Sequence, residues 1–205
     1  MTNYLALIFS CACFLFASCG STMNDYRSTN EKVEELEAIV MPGMLRAVIA
    51  IPACTVEKRQ FDAATNTFPV DSRDGVPRRI AFLPYPANYG FIPGTKMNKE
   101  EGGDGDAVDV FVICGAVPSG TVMVVEPIGI IELLDAGERD DKVIALPLDS
   151  SLRTIEADDI HELPQAAKDI LVTWLLNYDP VDGAELIAVK GKADALAAVE
   201  RWVMK

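Results

Sequence analysis

Asp104-Gly105-Asp106-Ala107-Val108-Asp109-Val110-Phe111-Val112 runs from an acidic turn into an apolar stretch rich in valine. β-Branched and aromatic residues favour a strand there, and a glycine between two aspartates favours a tight turn ahead of it. Side chains alternate along a strand, so Asp104 and Asp106 can share one face while Asp109 lies beyond them on a twisted or bulged stretch. Three carboxylates at the mouth of an apolar strand suit a hard cation. Oxygen-only ligands select Mg²⁺, Mn²⁺ or Ca²⁺ over zinc or copper. A solvated acidic turn before a core strand is the competing reading. An EF-hand calcium loop is excluded, because Val108 stands where its third oxygen ligand belongs and Asp109 where its glycine belongs.

Outward from this run the chain is mostly short strands. Leu45 to Ile51 reads as a strand, Phe61 to Val70 as a hairpin turning at Ala64-Thr65-Asn66, and Arg79 to Leu83 as a further short apolar run. Val108 to Cys114, Val122 to Leu134 and Val143 to Leu146 follow, separated by turn signals such as Pro118-Ser119-Gly120 at hairpin-like spacing, which points to a small barrel. The period then changes. Pro164 to Leu176 and Ala193 to Val203 carry apolar residues at helical spacing, with Trp174, Trp202 and Met204 read as core. The fold class is therefore α+β, mainly β, with C-terminal helices flanking the strands.

Composition narrows the function. Of the 205 residues 50% are hydrophobic, enough for one domain with a sizeable core. The net charge of -13 argues against nucleic acid or an anionic membrane surface as partner and suits a protein that collects dications. His161 is the only histidine, so a histidine zinc site or a Ser-His-Asp triad is poorly supported; in its polar stretch it reads as surface. Tyr4 to Phe16 is an uncharged apolar run too short to span a bilayer comfortably, followed by Ala17-Ser18-Cys19. Residues 1–18 thus read as a signal peptide and 19–43 as a tether whose Gly20 to Lys32 portion is rich in Ser, Thr, Asn and charge. The folded body is expected over 44–205. Phe16-Ala17-Ser18-Cys19 resembles a bacterial lipobox, which implies an exported protein whose only membrane contact is a lipid on Cys19.

Two further stretches flank the acidic run: Leu83-Pro84-Tyr85-Pro86-Ala87-Asn88-Tyr89-Gly90-Phe91 before it, and Asp135-Ala136-Gly137-Glu138-Arg139-Asp140-Asp141-Lys142 after it. In this order and spacing the three motifs closely resemble the soluble family I inorganic pyrophosphatases, over about Leu45 to Val189. The resemblance implies an OB-like five-stranded barrel with flanking C-terminal helices and Mg²⁺-dependent hydrolysis of pyrophosphate to two orthophosphates. It allows a homo-oligomer, for which no interface stripe is legible in the sequence.

It also implies roles. Asp104, Asp109 and Asp140 would ligate a first Mg²⁺, with Asp109 reaching a second, while Asp135 and Asp140 would hold a metal carried by the substrate. Asp106 would take the proton of the attacking water, or serve as a further ligand. Lys58, Lys142 and either Arg78 or Arg79, with Arg78 favoured, would grip the phosphates, helped by the phenols of Tyr89 and Tyr178. Tyr85 would line the site or pack beside Pro86. Four positions depart from the family pattern: Ala50 and Gln60 stand at usual glutamates, Ala136 at a frequent acidic residue, and Asp179 at a common phosphate-binding lysine. The inner set of Asp104, Asp106, Asp109, Asp135, Asp140 and Lys142 is intact. Activity with weaker binding of an outer metal or of one phosphate is expected, and a phosphate- or cation-binding protein is the alternative.

Overall fold

The computed structural model of the protein describes residues 27–28, 32–179 and 183–204. The expected signal peptide and Cys19 lie outside them, as do residues 20–26 and 29–31 of the tether. Strands β1 (Met44–Ile51), β2 (Asn88–Phe91), β3 (Asp109–Val112), β4 (Thr121–Asp135) and β5 (Lys142–Pro147) close a ring in the order β1-β2-β3-β5-β4 and back to β1. The contact between β3 and β5 is parallel and the other four are antiparallel. Fifteen residues long, β4 serves as a shared wall: its first part pairs with β1, its middle with β5 and its last part with β6 (Glu185–Gly191). Helices α1 (Gln165–Asn177) and α2 (Lys192–Trp202) complete the order. The expected mainly β class with C-terminal helices is the architecture observed. No helix among the described residues is long and apolar enough to cross a membrane.

Alternation on the ring strands sorts the core into two clusters. Leu45, Ala47, Ile49, Val110, Val112, Val125, Val143 and Ala145 join Ala195, Val199 and Trp202 of α2. Ile51, Phe111, Ile144 and Leu146 join Leu171, Trp174 and Leu175 of α1. Each of these side chains is essentially shut off from solvent, and burial of a large apolar side chain contributes about 1.5–3 kcal/mol. The close approach of β1 and β2 explains one glycine: a Cβ on Gly90 would sit 1.9 Å from the Val48 carbonyl oxygen, so no side chain fits between the strands.

Several expectations need correction. The packed body begins before Met44: Val33, Leu36 and Ala38 are buried, and Ile39–Met41 pairs with β1. Strands β2 and β6 are additions to the expected set: proline brackets the first in sequence, and the second, seven residues long, is largely outward-facing and carries little alternation of burial. Arg79 to Leu83 makes one isolated bridge and then bends, leaving Phe82 and Leu83 exposed, and Met204 lies on the surface. The Phe61 to Val70 hairpin turns where expected, held by isolated bridges at Arg59–Val70 and Asp62–Thr67 rather than by a regular ladder.

Candidate active site

Glycine and backbone hydrogen bonds shape the acidic loop before any side chain is considered. Gly105 has φ +92°, a conformation open to glycine, and Asp104 Oδ1 accepts from the Asp106 amide at 2.9 Å. Met97 holds both sides of the turn: its amide donates to the Asp106 carbonyl at 2.7 Å and its carbonyl accepts from Gly105 at 2.8 Å. The chain then enters β3, whose parallel register sets Asp109 beside Lys142 and whose antiparallel register sets it beside Phe91. The motif's third aspartate and the later lysine, 33 residues apart, are thus neighbours by strand pairing. Asp135 and Asp140 arrive from the other side of β5, through the two-residue turn Ala136-Gly137 between Asp135 and Glu138.

These residues line one cavity of about 520 Å³ together with Lys58, Arg78, Tyr89 and Tyr178. Asp104, Asp106, Asp109, Asp135 and Asp140 form its acidic wall; Asp106 alone among the five is solvent exposed. Lys142 lies buried beneath, its ammonium donating to Asp109 Oδ2 at 2.5 Å and to Asp140 Oδ1. Burial by itself would lower the Lys142 pKa, and the two carboxylates override it and hold the ammonium well above its usual range. The phenol of Tyr89 donates to the same Asp109 oxygen at 2.5 Å. Burial, helped by the neighbouring Asp140, raises the Asp109 carboxyl despite Lys142, and burial pushes Asp104 up to about 6.

The opposite wall is cationic and irregular. Lys58, Asp71 and Arg78 are cross-linked through the backbone: Asp71 N to Lys58 O at 2.8 Å, Arg78 N to Asp71 O at 2.8 Å and Lys58 N to Arg78 O at 3.0 Å. Burial, and then Arg78, lowers the Lys58 pKa. Tyr178, the last residue of the α1 end, stacks on Trp174 with ring centres 4.7 Å apart and faces the Lys58 ammonium at 6.0 Å. Burial pushes its phenol up to about 12, so it stays a hydrogen-bond donor at neutral pH.

Arg78, and not Arg79, is among the cavity residues. Tyr85 stands one layer back, buried with its ring 4.6 Å from Trp174 and 5.6 Å from Tyr89, and reaches only a small recess behind Tyr178. Ala50, Gln60 and Ala136 line the cavity, so three of the four departures from the family pattern face this space. Asp71 and Glu138 also line it and were not singled out in the sequence. Glu138 stood inside a quoted motif and could have been found there; Asp71 lies in a stretch with no motif, and only folding brings it in.

The donor chemistry suits a hard dication: the acidic wall offers carboxylate oxygen and no histidine or cysteine. Among the described residues no three such groups close on one point at ligand spacing, and the Lys142 ammonium stands where Asp109 and Asp140 approach each other. Metal and lysine would share those two carboxylates.

Comparison with known proteins gives one answer. The inorganic pyrophosphatase family model matches residues 47–205. An inorganic pyrophosphatase of Sulfolobus acidocaldarius is 32% identical over 164 residues, 78% of this chain and 88% of the relative. Inorganic pyrophosphatase 1 of Pseudomonas syringae is 32% identical over 161 residues, 77% and 86% of the two chains. Among solved structures, an inorganic pyrophosphatase from Coxiella burnetii superposes with TM-score 0.71 at 27% identity, covering 82% of this chain and 98% of its own.

Proposed function

The chain belongs to the inorganic pyrophosphatase family, and on that premise we propose that it hydrolyses pyrophosphate to two orthophosphates with Mg²⁺ in the cavity between its acidic and cationic walls. The observation that carries this reading is the arrangement of the cavity itself, five aspartates facing Lys58, Arg78 and Tyr178 across one space. Carboxylates alone would repel a pyrophosphate anion, so the acidic wall makes sense as a dication site and the cationic wall as a phosphate grip. Mg²⁺, when bound, supplies charge neutralisation and acidifies the water it holds. Asp104, Asp109, Asp135 and Asp140 are the residues that would hold it.

Asp106 is the proposed acceptor of the attacking water's proton; in support, the Met97 hydrogen bonds hold the backbone of its turn and its side chain is exposed on the cavity wall. Lys142 keeps Asp109 and Asp140 from repelling each other and so holds both carboxylates ready for a dication. Arg78 and Lys58 orient the phosphate that departs or remains and the protonated phenol of Tyr178 donates to its oxygens, while the Tyr89 phenol, whose proton goes to Asp109, orients that carboxylate. Phosphate release from pyrophosphate, with and without Mg²⁺, tests the reading. Turnover should require Mg²⁺ and fall about 10²- to 10⁴-fold in Asp106→Asn, the range for loss of a general base. Metal-independent turnover, or an Asp106→Asn variant as active as the parent, would refute it.

The N-terminal segment supports a proposal of export with a lipid on Cys19, carried by the apolar run Tyr4 to Phe16 and the small residues after it. Metabolic labelling with a fatty acid should mark the protein and leave Cys19→Ser unmarked.

A further inference from the structure

Arg78 reaches the cavity with both terminal nitrogens of its guanidinium already engaged. Nη1 donates to Asp71 Oδ2 at 2.9 Å and Nη2 to Asp179 Oδ2 at 3.0 Å. The two acids have different origins. Asp71 belongs to the same backbone-linked unit as Arg78, whereas Asp179 comes from 101 residues further along, just beyond α1, next to the Tyr178 ring that stacks on Trp174. Asp179 does not itself line the cavity; it holds the guanidinium from behind, and the Arg73 guanidinium stands 3.9 Å from the same oxygen. Side chains of Arg78 and Asp179 are 19% and 16% exposed, so this pair is screened far less than one on the open surface.

An anion arriving at Arg78 therefore meets a cation already paired with two carboxylates, one of which, Asp179, also faces Arg73. We propose that Asp179 is an internal counter-anion for Arg78 that limits how tightly the cavity holds a phosphate group, favouring release of orthophosphate over its retention. This rests on the pyrophosphatase reading of the cavity. The physical ground is Coulombic: a carboxylate fixed on the far side of the guanidinium repels the phosphate at a separation of a few ångströms in a partly buried site. Asp179 also orients the fork, and the two effects have opposite consequences. Loss of orientation weakens phosphate binding, while loss of the charge strengthens it.

Asp179→Asn separates them, because its amide oxygen still accepts from Nη2 while the charge is gone. Binding of inorganic phosphate to the full chain is measured by calorimetry with and without Mg²⁺, beside the KM for pyrophosphate. The dissociation constant for phosphate and the KM should both fall about three- to tenfold, the range of one partly screened charge. Phosphate affinity that is unchanged or weaker overturns the proposal and leaves Asp179 as a strut for the end of α1. Thermal melting establishes that the variant is folded; if it is not, Asp179→Ser is read by the same criterion. A parent protein that fails to hydrolyse pyrophosphate while Asp179→Asn binds phosphate more tightly would sink the functional reading and leave this one standing.

Discussion

The acidic and cationic walls of the cavity are built by different means. Asp109 and Lys142 sit on adjacent ring strands in a fixed register, and Asp135 and Asp140 flank a two-residue turn at the end of the longest strand. Lys58, Asp71 and Arg78 stand on segments joined by single bridges and a few cross-links, and Tyr178 and Asp179 follow the end of a helix. The contrast follows from what each wall must resist. Carboxylates crowded in a partly buried space repel one another, and only a rigid ladder with a buried ammonium holds them together. Cationic side chains that grip a transient anion need reach more than rigidity, and irregular backbone supplies it.

The largest test of that contrast is Lys142→Met, which removes the countercharge and keeps an unbranched side chain only one atom shorter. If the acidic wall depends on the ammonium, leaving Asp109 and Asp140 without it should destabilise the protein by about 3–5 kcal/mol, read as a drop in urea midpoint. A midpoint within experimental error of the parent would show that the strand register suffices. On the other wall, Arg78→Lys keeps one charge and loses the fork that reaches Asp71 and Asp179 together. KM for pyrophosphate should rise about tenfold with little change in melting temperature, the opposite pattern to Lys142→Met.

A third test uses pH. Burial raises the Asp104 pKa to about 6 in the folded protein, above its ordinary value of 3.8, so the folded state holds a proton that the unfolded chain has released. Its contribution to stability is therefore lost as pH rises from about 4 to about 6 and stays lost above that. In metal-free protein Asp104→Asn should gain stability relative to the parent across this window, shown by denaturation midpoints diverging between pH 4 and 7; parallel curves would place Asp104 in a more water-like setting. The smallest effect is expected at the turn. Ala136 adopts φ +49°, where a side chain is strained, so Ala136→Gly should stabilise the hairpin by about 0.5–1 kcal/mol in the same assay.

The two walls also differed in how far they could be read beforehand. Asp104, Asp106 and Asp109 declared themselves because a glycine-centred acidic turn before a valine-rich strand is a local pattern, whereas Asp135, Asp140 and Lys142 were legible only through the resemblance of the three ordered motifs to a known family. Arg78 could be narrowed only to a pair, since adjacent residues on an extended segment face opposite ways and nothing local says which faces inward. Asp71 had no signal at all. Its place depends on three backbone hydrogen bonds among segments that meet only in the folded chain. The start of the body was misplaced for a related reason: Val33, Leu36 and Ala38 are too sparse to mark an element, yet they cover Val48, Val122 and their neighbours.

Sequence by itself determined the family, through three motifs in a fixed order, and the mainly β class, and it singled out the five aspartates that line one side of the cavity, because motifs, alternation and turn chemistry are properties of short stretches. Only the tertiary structure decided that Arg78 and not Arg79 lines the cavity, that Tyr85 stands one layer behind it, and that Asp179 turns toward Arg78. Those three depend on which distant segments meet, and the packing of α1 and its end against the ring strands sets that meeting through burial, not through any pattern the segments carry alone.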